Sequence, residues 1–202
     1  MKRPLLVMAF LVVALVILVP ARPAAAQDPA AVITSLGNKA LKVLGPNVDP
    51  NLRVARFREL FQADFDVPSI ARFVLGRYWR LAAPAQQQEF IRLFTDYIAV
   101  VYANRLAEYN GETLRVTGSH PAPDGELVAS QIIRTNGQPP ARVDWLLTPA
   151  NGSYKITDVI FEGVSMAVTQ RSEFASFIQR NGGQVQSLIT ALEQKTEGAG
   201  AH

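Results

Sequence analysis

Few residues in this chain of 202 amino acids could carry out nucleophilic or acid–base chemistry. The sequence has no cysteine, and its two histidines are His120 and His202. A hydroxyl nucleophile usually needs a histidine as its base. His120 stands in a Ser-His-Pro sequence, where an exposed loop residue is the simpler interpretation, and His202 ends a small polar tail. Without thiolates a zinc site is not favoured, so neither a metal nor a cofactor is expected.

Two carboxylate positions allow more than one interpretation. Asp158 lies between Ile156 and Ile160 on one face of a predicted strand. It could be a desolvated carboxylate that transfers protons, as in isomerases or lyases with a ketosteroid-isomerase-like roll, or that face could open to solvent. Asp64 and Asp66 form a second candidate pair. Because Asp66 directly precedes a Val-Pro sequence, it is more typical of a helix-capping residue.

The elements that position these residues begin with four predicted helices. Apolar residues recur at spacings of three and four over residues 31–44, 52–61, 68–76 and 84–109, which is the pattern of amphipathic helices. In the last and longest, apolar side chains occupy most of the circumference. Such a helix is buried on two sides, or it packs on a core with one side and faces another apolar surface with the other.

After residue 111 the apolar period changes from helical to alternating. Strands are predicted at 114–117, 127–133, 142–147 and 154–161. Asp-Gly and Asn-Gly dipeptides follow the first three of these runs, and such dipeptides favour hairpins because they tolerate positive φ. The pattern therefore predicts a four-stranded antiparallel meander.

Two closing helices are predicted after the sheet, over residues 171–181 and 183–195, with the segment 164–168 leading into them. Helices first, strands next and helices last indicate an α+β fold. Residues 27–196 are expected to form a single domain, and residues 197–202 a flexible tail.

The first 26 residues have the order of a secretory signal peptide. Lys2 and Arg3 precede an uninterrupted apolar run from Leu5 to Val19, and small residues lead up to Ala26. This order predicts cleavage after Ala26. An uncleaved membrane anchor is the alternative, but the run is shorter than the roughly 20 residues that cross a bilayer. The mature chain is thus expected outside the cytoplasm.

The positive charge of the whole chain comes from this N-terminal segment. Lys2, Arg3 and Arg22 lie there beside no acidic residue, and without them the 20 basic residues fall to 17, equal to the 17 acidic ones. A neutral chain has no long-range field to hold a polyanion. Nucleic acid is therefore not an expected partner.

Two short segments in a fixed order carry a resemblance to a known family. They are Leu-Gly-Arg-Tyr-Trp-Arg at 75–80 and Val-Ile-Phe-Glu-Gly-Val-Ser at 159–165, the second followed by Thr-Gln-Arg-Ser-Glu-Phe at 169–174. With the apolar pattern of the long helix, they resemble the MlaC family of periplasmic phospholipid-transport and toluene-tolerance proteins, which includes the hopanoid-associated HpnM proteins. The resemblance covers roughly residues 30–194.

The resemblance implies a soluble periplasmic carrier and no enzyme. Such a carrier encloses the acyl chains of a phospholipid, or a hopanoid, in an apolar cavity between helices and sheet. It shuttles lipid between an inner-membrane ABC transporter with its membrane-anchored substrate-binding partner and an outer-membrane lipoprotein–porin complex, and so serves outer-membrane lipid asymmetry. From periodicity alone, a filled core is the alternative to a cavity.

The residues expected to form this site combine the apolar pattern with the resemblance. Those expected to line the cavity are Leu75, Tyr78, Trp79, Phe94, Ile98, Val101, Trp145, Ile160, Phe161, Val164 and Met166. Arg77 and Arg80 flank the aromatic pair. Their guanidinium groups could donate paired hydrogen bonds to a headgroup phosphate, contact a partner protein, or simply face solvent.

Overall fold

Helices pack on a five-stranded antiparallel sheet in the computed structural model, which describes residues 27–44, 48–106 and 111–197. The elements are α1 (Pro29–Leu44), α2 (Pro50–Asp64), α3 (Val67–Leu75), a 3₁₀ helix (Gly76–Arg80), α4 (Pro84–Leu106), β1 (Thr113–Ala122), β2 (Gly125–Ile133), β3 (Ala141–Ala150), β4 (Ser153–Phe161), β5 (Val164–Ser165), α5 (Met166–Arg180) and α6 (Val185–Glu197). The predicted signal segment, the predicted end of the long helix at residue 109 and the tail beyond residue 197 lie outside the described residues. The α+β class predicted from the sequence is confirmed.

The sheet is a meander in which each strand pairs with the next along the chain. Asn151 and Gly152, with φ of 49° and 78°, form the tight turn between β3 and β4. Positive φ at both central positions matches the right-handed twist of the flanking strands. Pro123 and Asp124 form the turn between β1 and β2, with Gly125 as the first residue of β2, whereas the β2–β3 connection spans residues 134–140 and is longer than a tight turn.

The sheet has one more strand than the predicted four. Glu162 and Gly163, with φ of 48° and 82°, reverse the chain, and Val164 and Ser165 then pair with the end of β4 as β5. Helix α5 starts immediately afterwards at Met166, five residues before its predicted start. The reason is local, because the Ser165 hydroxyl accepts a hydrogen bond from the Val168 N–H and caps the helix.

A β-bulge in β4 changes which side chains share a face. Leu146 pairs with Asp158, but Leu147 pairs with Ile156, so Thr157 is the extra residue. Because neighbouring residues on a strand point to opposite faces, Ile156 and Asp158 lie on opposite faces of the sheet. The predicted common face of these two residues is therefore wrong.

Buried apolar side chains form two separate clusters. The larger one lies among α2 to α6 and includes Phe90 and Phe94, which are almost completely buried. The smaller one lies between α1 and the sheet and includes Leu36, Leu147 and Ile156. The wall residues of the cavity described below come from both clusters. The cavity therefore lies between the two clusters.

Candidate functional site

A cavity of about 390 Å³ lies between the helices and the inner face of the sheet. This volume falls within the roughly 300–1,000 Å³ typical of small-molecule sites. Its wall is mainly apolar and draws on five helices and four strands. The lining side chains include Leu36, Ala40, Leu41, Phe57, Leu60, Phe61, Phe65, Ile70, Phe94, Ile98, Tyr102, Leu114, Ile132, Trp145, Val159, Met166 and Ala167. An apolar compartment of this kind suits a hydrocarbon ligand better than a polar substrate.

A row of aromatic rings supports the helical side of the cavity. Phe61 lies at its centre, with ring centroids 4.9 Å from Phe65, 6.3 Å from Phe57 and 6.3 Å from Phe94. Phe57 in turn stacks on Tyr102 at 6.3 Å. These rings join α2 to α4 through offset and edge contacts, which stabilise a helix pair beyond the burial of area alone.

Trp145 on β3 lines the cavity from the sheet side, with its polar atom already hydrogen-bonded. Its indole N–H donates to the Ser130 hydroxyl at 2.9 Å, and that hydroxyl donates to the carbonyl oxygen of Val143 at 2.7 Å. Ser130 is buried. Because a buried indole N–H needs an acceptor, this relay lets Trp145 present apolar carbon to the cavity.

Polar and exposed groups lie where the end of α4 meets the start of β1. The cavity wall there includes Arg105, Glu112 and Thr113, and the Arg105 guanidinium lies 5.2 Å from the centre of the Tyr102 ring. Burial raises the pKa of Tyr102 above its ordinary value, and the nearby Arg105 charge opposes that rise. Leu41 is also exposed here, so we define this region as the mouth of the cavity.

Asp158 anchors the start of α5 to β4. Its carboxylate accepts hydrogen bonds from the Val159 N–H at 2.8 Å, from the Ala167 N–H at 3.0 Å and from the Ser165 hydroxyl. A carboxylate is well placed at a helix N-terminus, where backbone N–H groups lack partners. This geometry directs both carboxylate oxygens to protein donors and favours a structural role over proton transfer.

Asp66 also caps a helix, as its sequence context predicts. Its side chain accepts from the Ser69 N–H at the start of α3, with Pro68 in the first turn. Asp64 instead pairs with Lys39 at 3.1 Å. His120 is exposed, although it lies within β1 and not in a loop. No cluster of three potential metal-ligating side chains occurs in residues 27–44, 48–106 and 111–197.

The structure brings four of the predicted cavity residues together. Phe94 and Ile98 on α4, Trp145 on β3 and Met166 at the start of α5 all lie in the cavity wall. They come from the long helix and from the elements that face it, as the apolar pattern indicates. That these four side chains contact lipid stays a prediction.

The other predicted apolar residues lie elsewhere, for identifiable reasons. Leu75 at the end of α3 and Tyr78 in the 3₁₀ helix are buried in the larger core cluster and do not line the cavity. Val101 is half-buried on α4 outside the cavity wall. Trp79 lies in a surface groove together with Arg77 and Arg80.

The end of β4 also departs from the predicted site. Ile160 does not line the cavity, whereas Asp158 on the same face of β4 and Thr157 at the bulge do line it. Phe161 and Val164 flank the turn into β5 and are 38% and 53% exposed. Both therefore lie at the surface, where the tight turn carries them out of the core.

The sequence pattern did not predict that α1 and α2 contribute to the cavity wall. Leu36, Gly37 and Leu41 line the cavity from α1, and Phe57 and Phe61 line it from α2. A Cβ atom at Gly37 would lie 3.0 Å from the Leu114 side chain. A glycine in the middle of an apolar helical stripe was the available signal, since such a residue often marks a close approach.

No helix of the described ranges combines the length and apolar character that a membrane span requires. A solved structure has the same fold: the phospholipid-binding protein from Ralstonia solanacearum in complex with a phospholipid, with a TM-score of 0.71 and 22% identity, covering 86% of this chain and 99% of that one.

Two sequence relatives extend the comparison. Toluene tolerance protein ttg2D of Pseudomonas putida is 28% identical over 178 residues, which are 84% of this chain and 82% of the relative. The intermembrane phospholipid transport system binding protein MlaC of Haemophilus influenzae is 25% identical over 125 residues, 60% of this chain and 58% of that protein. The family model described as MlaC protein matches residues 34–194. With most of its length matched in this way, the chain belongs to the MlaC family.

Proposed function

We propose that this protein is a periplasmic carrier that holds the acyl chains of a phospholipid in its cavity. The observation that carries the proposal is the apolar cavity between α2, α4 and the sheet. It occurs in a fold shared with a protein described as phospholipid-binding and in complex with a phospholipid. The aromatic row and the hydrogen-bonded Trp145 make this cavity a preformed apolar compartment.

The physical need for such a carrier is large. Transfer of two sixteen-carbon chains from a bilayer into water costs roughly 25 kcal/mol of free energy, at about 0.8 kcal/mol for each methylene. A cavity that replaces the hydrocarbon environment removes most of this barrier. No covalent bond changes in this process, so the carrier needs no catalytic residue.

The mouth supports a definite orientation for the lipid. Tails extend into the apolar end near Phe61 and Trp145, and the headgroup remains at the mouth beside Arg105. A guanidinium can donate paired hydrogen bonds to a phosphate. Stacking on Tyr102 holds the Arg105 side chain near the position of that phosphate.

Membership of the MlaC family supports a wider role as part of this proposal. The protein moves lipid between the inner and outer membranes, as the binding component of an ABC-type lipid transport system with an outer-membrane lipoprotein–porin complex as the other terminus. The expected signal segment before residue 27 supports a periplasmic location.

The two tryptophans allow a direct test of where the tails lie. Trp145 lines the cavity and Trp79 lies in the separate surface groove. In the mature chain, Trp79→Phe leaves Trp145 as the only tryptophan, and Trp145→Phe leaves Trp79 as the only one. Both variants are loaded with a phospholipid brominated along its acyl chains, because bromine quenches tryptophan fluorescence on contact. We expect strong quenching of Trp145 and little quenching of Trp79.

Equal quenching of both tryptophans, or quenching of Trp79 alone, would contradict this location of the tails. Native mass spectrometry of the chain purified from a Gram-negative host tests the function itself. Bound phospholipid is the expected result, and extraction with lipid analysis distinguishes glycerophospholipid from a hopanoid. A lipid-free protein that takes up no lipid from vesicles would overturn the carrier function.

A further inference from the structure

A second concave region, the arginine groove, lies on the opposite side of α3 from the cavity. It has a volume of about 480 Å³, and its wall includes Arg72, Arg77, Arg80 and Arg171 together with Phe73 and Trp79. Helix α3 separates the two regions, because Ile70 lines the cavity whereas Arg72 and Phe73 line the groove.

The groove concentrates positive charge in a mature chain that has no net charge. All four arginines are exposed, and none takes part in the ion pairs found among the described residues. Two of them lie against aromatic rings, and Arg77 also donates a hydrogen bond to the Tyr78 hydroxyl at 2.9 Å. The guanidinium of Arg77 lies 4.9 Å from the centre of the Tyr78 ring, and that of Arg171 lies 5.0 Å from the centre of the Phe73 ring.

The groove joins residues from two parts of the chain. Arg171 belongs to α5, while the other three arginines belong to α3 and the 3₁₀ helix. Gly76, between α3 and the 3₁₀ helix, has a φ of +58°, which glycine adopts at low cost. The Arg171 side chain lies over this residue, since a Cβ atom at Gly76 would be 2.9 Å from its Nε.

We propose that the arginine groove is a docking site for an acidic segment of a partner protein. Guanidinium groups offer paired donors that match carboxylates, and arginine with tryptophan is the combination enriched at the energetic centres of protein interfaces. Phe73 in the groove wall is 41% exposed and adds an apolar contact. A concave groove receives a protruding chain segment better than a flat bilayer.

Binding of a designed peptide tests this proposal without reference to lipid. A fluorescein-labelled peptide of alternating Asp or Glu and Phe residues is titrated with the mature chain, and its anisotropy is recorded. A peptide with Asn and Gln in place of the acids is the control probe. We expect the acidic peptide to bind more tightly than the neutral one, and we expect its binding to weaken as the salt concentration increases.

Two double variants separate the groove from net charge. The groove variant combines Arg72→Glu with Arg80→Glu. The control variant combines Arg115→Glu with Arg134→Glu, which makes the same change of charge near β1 and β2. We expect the groove variant to weaken peptide binding by roughly tenfold or more, and the control variant to change it far less. In the Trp145→Phe chain, the acidic peptide should also shift the emission of Trp79.

Three results would overturn the proposal. The first is that the acidic peptide does not bind. The second is that both double variants weaken peptide binding equally, which would show that net charge alone causes the binding. Vesicles of phosphatidylglycerol could bind through the same arginines while the peptide does not, which would assign the groove to a membrane surface. If the groove variant does not fold, the Trp145→Phe chain provides the test. A Trp79 emission that does not change when the peptide is added would show that the peptide does not bind in the groove.

Discussion

Ile98 and Val164 are two apolar residues that the sequence pattern alone does not distinguish. Ile98 is buried in the cavity wall, whereas Val164 is exposed on β5. We expect Ile98→Gln to reduce the lipid retained by the purified protein severalfold, because a polar amide in an apolar compartment is desolvated without partners. Val164→Gln, the matched control, should retain lipid as the unaltered chain does. Native mass spectrometry measures both, with circular dichroism to confirm folding.

Tyr102 gives a pH prediction at the cavity mouth. Burial raises its pKa above the ordinary value of 10.0, so the unfolded chain loses this proton before the folded chain does. The contribution to stability is therefore present below about pH 10 and is lost as pH rises beyond it. We expect Tyr102→Phe to lessen the fall in the free energy of unfolding between about pH 9 and about pH 11. An unchanged fall in urea titrations would contradict this assignment.

The predicted residues that lie in the cavity wall have a simple physical basis for that position. Phe94 and Ile98 lie on a helix whose apolar surface is wider than one core contact needs, and Trp145 alternates regularly with polar neighbours. Tyr78 could not be assigned in this way, because a 3₁₀ helix has a different period from an α-helix. Arg105 was not foreseen, since nothing in its sequence context indicates that it lies at a mouth.

Asp158 acts at the level of elements, where it joins β4 to α5. Asp158→Ala removes an acceptor for three hydrogen bonds. We expect the free energy of unfolding to fall by about 2–3 kcal/mol, because hydrogen bonds to a charged group contribute about 1.5–3 kcal/mol. Asp158→Asn should lose less, since one side-chain oxygen remains. Chemical denaturation measures both losses, and two unaffected stabilities would refute the anchoring role.

Element limits show which local signals are readable in advance. Pro68 with Asp66 starts α3, and Asn181 ends α5, as their sequence context predicts. The bulge at Thr157 and the two-residue strand β5 have no periodic signature, because each involves one or two residues whose register depends on a neighbouring strand. The face of Asp158 and the start of α5 were therefore mispredicted together.

The whole molecule has a core divided between two clusters, with the cavity between them. A ligand that binds the folded chain alone adds to its stability, by about 2.7 kcal/mol when its free concentration is one hundred times Kd. We expect the lipid-loaded protein to melt at a higher temperature than the delipidated protein, and Ile98→Gln to lose this difference. Calorimetry measures the midpoints. Identical midpoints for the loaded and delipidated chain would show that lipid does not bind the folded chain in preference to the unfolded chain.

The overall architecture was predictable to a greater degree than the wall of the cavity. Helical and alternating periods extend over many residues, so the order of elements and the α+β class follow from them. The cavity depends on where two packed clusters fail to meet, and this is a property of tertiary distances. Leu36 from α1 and Phe57 from α2 enter the wall for that reason, although nothing local distinguishes them from ordinary core residues.

Helix α3 and the first turns of α5 form a partition one helix thick. Ile70 and Met166 touch its inner side, while Arg72 and Arg171 occupy its outer side. A docked segment that displaced this partition would alter the lipid compartment as well as the groove. Linkage is reciprocal, so whatever factor such a segment imposed on lipid affinity, lipid would impose on the affinity for the segment. On the proposed function, this shared wall is where release of lipid would be coupled to arrival at a partner.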